Sequence, residues 1–172
     1  MGTITKCEKC GADIPISGKF CQSCGNKVFS DQAMTPDQID LNWLSEIMTQ
    51  IGYKREPDKE NENEVFGTHE NMHNLALSLR KDFGIIVLQS LFVVKKAGWG
   101  GRTDQYMAIN KANGAGNFVT WFYAEDNSLL GAYSFVPLVE HLTKRDVIFV
   151  IEKFNDEINN GLNNSGLMNY LS

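Results

Sequence analysis

Leu75-Ala-Leu-Ser-Leu-Arg80-Lys-Asp-Phe-Gly84-Ile-Ile-Val-Leu-Gln-Ser90-Leu-Phe-Val-Val94 is the stretch on which the fold turns. Leu75, Leu77 and Leu79 alternate with Ala76, Ser78 and Arg80, the period of two that lines leucines on one face of a half-buried strand. Lys81 to Gly84 supplies a turn, and Ile85 to Val94 is apolar on both faces, as expected of a strand central in a sheet. That second run is broken by Gln89 and Ser90 and is too short to cross a bilayer. A strand pair is therefore the seed, and its neighbours decide what covers it.

Upstream, Thr35-Pro36-Asp37-Gln38 is a helix start: threonine caps, proline fits the first helical position, and Gln38 completes a capping box. Ile39, Trp43, Leu44, Ile47, Met48 and Ile51 recur at helical spacing up to the stop at Gly52. Residues 54–64 carry dense charge and a proline without apolar period and predict a solvated loop, after which a strand begins near Val65. Downstream, a loop at Gly98-Trp99-Gly100-Gly101 precedes a short helix over Thr103 to Asn113. No Lys-Ser/Thr pair follows those glycines, so a connector is expected rather than a phosphate loop. Phe118 to Ala124 and Leu129 to Phe135 form a hairpin about Glu125 to Ser128. A final helix starts at Thr143 with Asp146 as capping partner and buries Val147, Val150, Ile151, Phe154 and Ile158 before Gly161. The order α-β-β-β-α-β-β-α predicts an α+β domain over residues 36–162, its antiparallel sheet packed by helices. The Asn- and Gly-rich tail, 163–172, is expected to be mobile.

Ahead of this domain stand the four cysteines of the chain, Cys7, Cys10, Cys21 and Cys24, as two CxxC pairs separated by ten residues. Each pair sets two thiolates on one tight turn, and four sulfurs can close a tetrahedron around one zinc ion. Gly11 and Gly25 follow the second ligand of each pair, where a knuckle turn needs positive φ. Disulfides belong to exported chains, and Met1-Gly-Thr-Ile-Thr-Lys6 lacks the apolar core of a secretion signal. Rubredoxin-like iron and a redox dithiol are the alternatives to zinc. A segment this small needs a metal to fold, and Ile14, Ile16, Phe20 and Val28 are expected to gather around it. Four thiolates leave no open coordination position, so the single Zn2+ is expected to be structural. Cys7-Glu-Lys-Cys10-Gly11-Ala12 and Lys19-Phe20-Cys21-Gln-Ser-Cys24-Gly25 resemble the short zinc-ribbon modules that open many bacterial and archaeal proteins. The ribbon is placed at residues 1–30, with 31–35 as linker.

The charge distribution narrows the function. Residues 1–30 carry +2 and the remainder −7, with 12 basic against 19 acidic residues. Phosphate contacts demand a basic footprint, so nucleic acid is disfavoured as main partner. The chain is expected to be soluble and cytoplasmic, with no membrane association. His69-Glu70-Asn71-Met72-His73 spells the HExxH of zinc peptidases, a chemistry that needs both histidines on one helical face and a third ligand. The flanking period of two and Gly67 argue instead for a hairpin turn carrying two exposed histidines.

The element order, with Met107-Ala-Ile-Asn110-Lys-Ala-Asn113 leading into Phe118 and the 129–135 strand, resembles the type III secretion chaperone-like (YbjN-type) domains over about residues 36–162. The resemblance implies a non-enzymatic fold that binds other proteins, often as a dimer. Val119, Trp121 and Tyr123 share one face of their strand, and Phe118, Thr120 and Phe122 the other. With all helices on one side of the sheet, an aromatic surface remains for a protein partner or a second copy, and Val119, Trp121 and Tyr123 are the residues expected to form it; the alternative is that helices or the C-terminal tail cover it. The expected function is a structural zinc protein whose larger domain is a non-catalytic, chaperone- or adaptor-like interaction module. A zinc-ribbon regulator touching nucleic acid and an HExxH metallopeptidase are the alternatives.

Overall fold

A computed structural model of the chain describes residues 4–7, 9–15, 20–26, 33–56, 62–95, 101–116, 118–124 and 128–172. Strands β1 (Ile4–Lys6) and β2 (Asp13–Pro15) form a two-stranded antiparallel hairpin around the first cysteine pair. There follow α1 (Leu41–Gln50), β3 (Lys54–Arg55), β4 (Glu64–Thr68), β5 (Leu75–Arg80), β6 (Ile85–Val93), α2 (Gly101–Ala115), β7 (Thr120–Ala124), β8 (Leu129–Pro137) and α3 (Lys144–Ser165). The six larger-domain strands form one antiparallel sheet in the order β3-β4-β5-β6-β8-β7. The predicted α+β class, sheet and helix order are therefore present.

β6 is central, paired with β5 from Ile85 to Gln89 and with β8 from Ile85 to Val93. Its faces differ more than its composition suggests. Ile86, Leu88 and Ser90 are buried under the helices, whereas Leu91 and Val93 are exposed. The helices lie on one face only, where Leu44, Ile47 and Met48 of α1 and Ile151, Phe154 and Ile158 of α3 are fully buried. Burying a phenylalanine such as Phe154 stabilises the fold by about 3 kcal/mol, so this layer dominates stability.

Four local expectations change. The Thr35/Gln38 capping box forms, with the Thr35 N–H donating to Gln38 Oε1 at 3.0 Å, but it caps a 3-10 turn over Pro36–Gln38. The α-helix starts only after Asp40, whose Oδ1 accepts from the Trp43 N–H at 2.8 Å. Lys54 and Arg55, expected in a loop, pair with Thr68 and Gly67 as an edge strand; a two-residue charged strand leaves no periodic signal. Gly161 does not end α3, which runs through it to a left-handed cap at Gly166. A Cβ at position 161 would lie 2.8 Å from the Trp121 indole, so glycine serves close packing there rather than termination. Finally, the tail is docked. Residues 167–170 form a 3-10 turn with Leu167 buried, and Leu171 bridges to Val94. The glycine loop at 98–100 and the hairpin turn at 125–127 lie outside the described residues.

Candidate metal centre and interaction surface

The two CxxC turns are built alike. The Gly11 N–H donates to the Cys7 carbonyl and the Gly25 N–H to the Cys21 carbonyl, both at 2.8 Å. The Cys7 N–H reaches the Ala12 carbonyl at 2.9 Å, and the Cys21 N–H the Asn26 carbonyl at 2.7 Å. Such a turn swings the chain into the left-handed region just past the second cysteine, and φ is +70° at Gly11 and +68° at Gly25. An exposed Lys6–Asp13 ion pair spans the β1–β2 hairpin.

Folded together, the turns bring all four sulfurs within 4.8 Å of one another, with Cys7–Cys24 and Cys10–Cys21 at 3.6 Å. A tetrahedral ion with metal–sulfur bonds of about 2.3 Å holds its sulfurs roughly 3.8 Å apart, so the donor set fits one metal ion. Cys7 and Cys21 are buried, and Cys10 and Cys24 face solvent. Removal from water raises the Cys21 thiol, but N–H groups of Cys24 and Ser23 donating to its sulfur outweigh this and bring it to about 6. The Ala12 N–H pulls Cys10 down, yet the neighbouring sulfurs dominate and push it up to about 12. Four crowded thiolates cannot coexist unless a cation compensates them. Ile14 is 1% exposed beside this site, but Phe20, expected to join it, is 57% exposed. Ile16 and Val28 lie outside the described residues.

The HExxH segment is not helical. His69 follows β4, Glu70 to Met72 form the connection, and β5 begins at Leu75. The His69 Nδ1 accepts the N–H groups of Asn71 and Met72 at 2.9 and 3.1 Å, which folds the turn about the ring. Both histidines are half-buried rather than exposed: the His69 ring lies 5.1 Å from that of Tyr53, and the His73 ring meets Phe92 edge-on with its Nε2 3.0 Å from Asn159 Oδ1. The His73 N–H donates to Asn155 Oδ1, and the Tyr53 hydroxyl donates to the His73 carbonyl, each at 3.0 Å. The motif thus ties the β4–β5 turn to α3. Burial lowers His73 below its ordinary value and pushes Tyr53 up to about 12.

The aromatic strand requires a correction. Val119 and Trp121 are 5% and 3% exposed and lie on the helix-covered face; Tyr123, on the same face, is half-buried with its ring 6.1 Å from Tyr106. They are core, not partner surface. Trp121 packs on Gly161 and Phe92, and its backbone is held by Asn113, whose Oδ1 accepts from the Trp121 N–H at 2.7 Å while its Nδ2 donates to the carbonyl at 3.1 Å. A side-chain amide thereby occupies the outer edge of β7 where another strand would pair. Glu157 Oε2 accepts from the N–H groups of Phe118 and Val119 just before it. Sequence reasoning named Asn113 but found no role for it, because its partner is a backbone eight residues away.

The uncovered surface is the opposite face. Leu91 is 45%, Val93 62%, Tyr133 37% and Phe135 56% exposed. Phe122 joins them by lying across Gly131, where a Cβ would meet its ring at 2.0 Å, with its centroid 5.9 Å from Tyr133. On this face β6, β8 and β7 present Ile85, Val87, Gln89, Leu91 and Val93, then Leu129, Tyr133 and Phe135, then Thr120 and Phe122, without one charge.

No protein-family model matches the sequence, and no curated protein is detectably similar to it. Among solved structures, the fold is similar to YbjN from E. coli, provisionally described as a transcription regulator, at 12% identity and a TM-score of 0.59 over 78% of this chain and 96% of that one. No helix among the described residues is long and apolar enough to cross a membrane. The chain therefore combines a YbjN-like α+β fold with an N-terminal four-cysteine cluster shaped for one metal ion.

Proposed function

We propose that the protein is a zinc-clasped, non-catalytic interaction module that pairs with a second copy of itself through the uncovered face of its sheet. The observation that carries this is the one-sided packing, which leaves Leu91, Val93, Tyr133 and Phe135 in solvent on a contiguous, uncharged face. Soluble monomers rarely expose such patches. A face without charge complements itself under two-fold symmetry, with no like-charge pair to separate. The nine-residue strands β6 and β8 and the five-residue β7, about 4.8 Å apart and rising about 3.4 Å per residue, span a footprint on the order of 400 Å². That is below the roughly 800 Å² per partner of a standard stable complex, as expected of a weak dimer that forms only at tens of micromolar.

Zinc is the ion we assign to the four thiolates, because a closed tetrahedral sulfur shell suits it and leaves no site for water or substrate. A non-catalytic role is supported by the fate of the HExxH residues, whose histidines are engaged in holding a turn. The description of the E. coli protein as a regulator implies nucleic-acid contact, but residues 31–172 carry −7, which favours protein contacts here.

Sedimentation velocity tests the reading. The chain is expected to dimerise at tens of micromolar, and a Leu91→Asp/Phe135→Asp double variant to remain monomeric with an unchanged circular dichroism spectrum. A wild-type chain that stays monomeric at several hundred micromolar would refute it.

A further inference from the structure

β6 outruns β5. Its pairing with β5 ends at Gln89↔Ala76, whereas its pairing with β8 continues to Val93↔Leu129. The flank beyond Gln89 on the β5 side is thus an open sheet edge, and residues 170–172 meet its end through an isolated antiparallel bridge. The Lys95 N–H donates to the Tyr170 carbonyl at 2.8 Å, and the Ser172 N–H to the Val93 carbonyl at 3.1 Å. Ser172 Oγ donates to that same carbonyl at 3.1 Å, and Leu171 bridges Val94 in antiparallel fashion between them. Among the described residues the attachment of 170–172 to this flank is slight: two backbone hydrogen bonds, one hydroxyl and one partly buried leucine.

The fit beneath it is incomplete. Between Val94, Gln105, Leu167 and Tyr170 lies a cavity of about 10 Å³. Gln105 is 5% exposed, and its Oε1 meets no hydrogen-bond donor among the described residues. A buried amide oxygen without a donor is destabilising in its present setting. An occupant of the same flank that carried a donor group would satisfy it where the tail does not.

We propose that the Val93–Lys95 flank is a strand-addition site, occupied in cis by residues 170–172 and taken in their place by an extended segment of a partner protein. The chemistry of that segment follows from the tail. It presents a backbone carbonyl and a backbone N–H two residues apart, a leucine-sized side chain between them, and an amide or hydroxyl donor that reaches Gln105. Main-chain bonds then supply affinity, and the leucine position and Gln105 supply selectivity. The site uses the backbone edge of β6 and the uncovered face its side chains; Val93 belongs to both, but strand addition does not depend on dimer formation.

The full chain tests this with a fluorescein-labelled peptide of residues 167–172, Leu-Met-Asn-Tyr-Leu-Ser, followed by anisotropy. Ser172→Pro removes the N–H that holds the tail, and Leu171, at φ −75° and ψ 143°, already has the conformation a following proline requires. The peptide is expected to bind S172P at least ten-fold more tightly than wild type, and Leu171→Ala, a second way of loosening the tail, to behave likewise. Peptide affinity equal in all three chains would overturn the proposal. Amide exchange supplies an independent readout. In the wild-type chain the Lys95 N–H should exchange at least ten-fold faster than the Val94 N–H, which donates to the Ser128 carbonyl on the other side. Equal protection of the two would overturn it. Lys95 protection that rises with chain concentration would also overturn it, in favour of a second copy's tail as the occupant.

Discussion

Replacing glycine by alanine inside a helix ordinarily stabilises it, by about 1 kcal/mol, because alanine loses less backbone freedom. Position 161 is expected to reverse that sign. A Cβ built there lies 2.8 Å from both Cζ2 and Nε1 of Trp121, and ordinary contact begins at 3.4 Å, so the indole must retreat by about 0.6 Å. It has nowhere to go. Trp121 is 3% exposed, its ring lies beside Phe92, and its backbone is held by both hydrogen bonds from Asn113. Overpacking of such a site costs roughly 1–3 kcal/mol, so Gly161→Ala should destabilise the chain by up to about 2 kcal/mol net. Gly114 in α2 is the control, because a Cβ there meets nothing within 4 Å, and Gly114→Ala should stabilise by up to about 1 kcal/mol. Urea denaturation of both variants beside wild type reads the two signs directly. A Gly161→Ala chain as stable as Gly114→Ala would refute the packing of Trp121 against α3.

Asn113→Ala should lower stability by about 1–3 kcal/mol in the same assay, since it strips the Trp121 N–H and carbonyl of their partners; it should also promote aggregation by baring the β7 edge. An unchanged denaturation midpoint and solubility would exclude the edge-capping role. His73 predicts a pH effect of defined sign. Its native value lies below the unfolded value of about 6.5, so the unfolded chain takes up the proton first as pH falls. The stability His73 contributes is fully present above about pH 6.5 and is lost as pH falls through the lower native value. Wild type should therefore lose more stability between pH 7.5 and 5.5 than His73→Gln, and parallel losses would contradict this.

Much of the fold is written in patterns with local causes. The strand at Leu75–Arg80, the turn closed at Gly84 and the Thr143/Asp146 capping box all depend on neighbours in sequence, and each is present, although Ala76 is buried beside Leu75 and Leu77, and Leu79 is only partly so. What escaped depends on distant partners. Gly161 looks like a helix stop until Trp121 is placed above it. The tail looks mobile until the unpaired flank of β6 is seen to receive it. The faces of β7 were interchanged for the same reason. Val119, Trp121 and Tyr123 are as apolar as Phe118, Thr120 and Phe122, and only the position of α2 and α3 decides which set is covered. The cysteine cluster was readable because ligand spacing and the two glycines are local, whereas the exposure of Phe20 was not.

Metal stoichiometry of the freshly purified chain, by native mass spectrometry with elemental analysis, bears most directly on a sulfur-held structural ion with no reactive centre elsewhere. One zinc per chain is expected, retained in a His69→Ala/His73→Ala variant and lost when Cys7 and Cys10 are replaced by serine. No bound metal, or a second zinc that disappears with the two histidines, would contradict it.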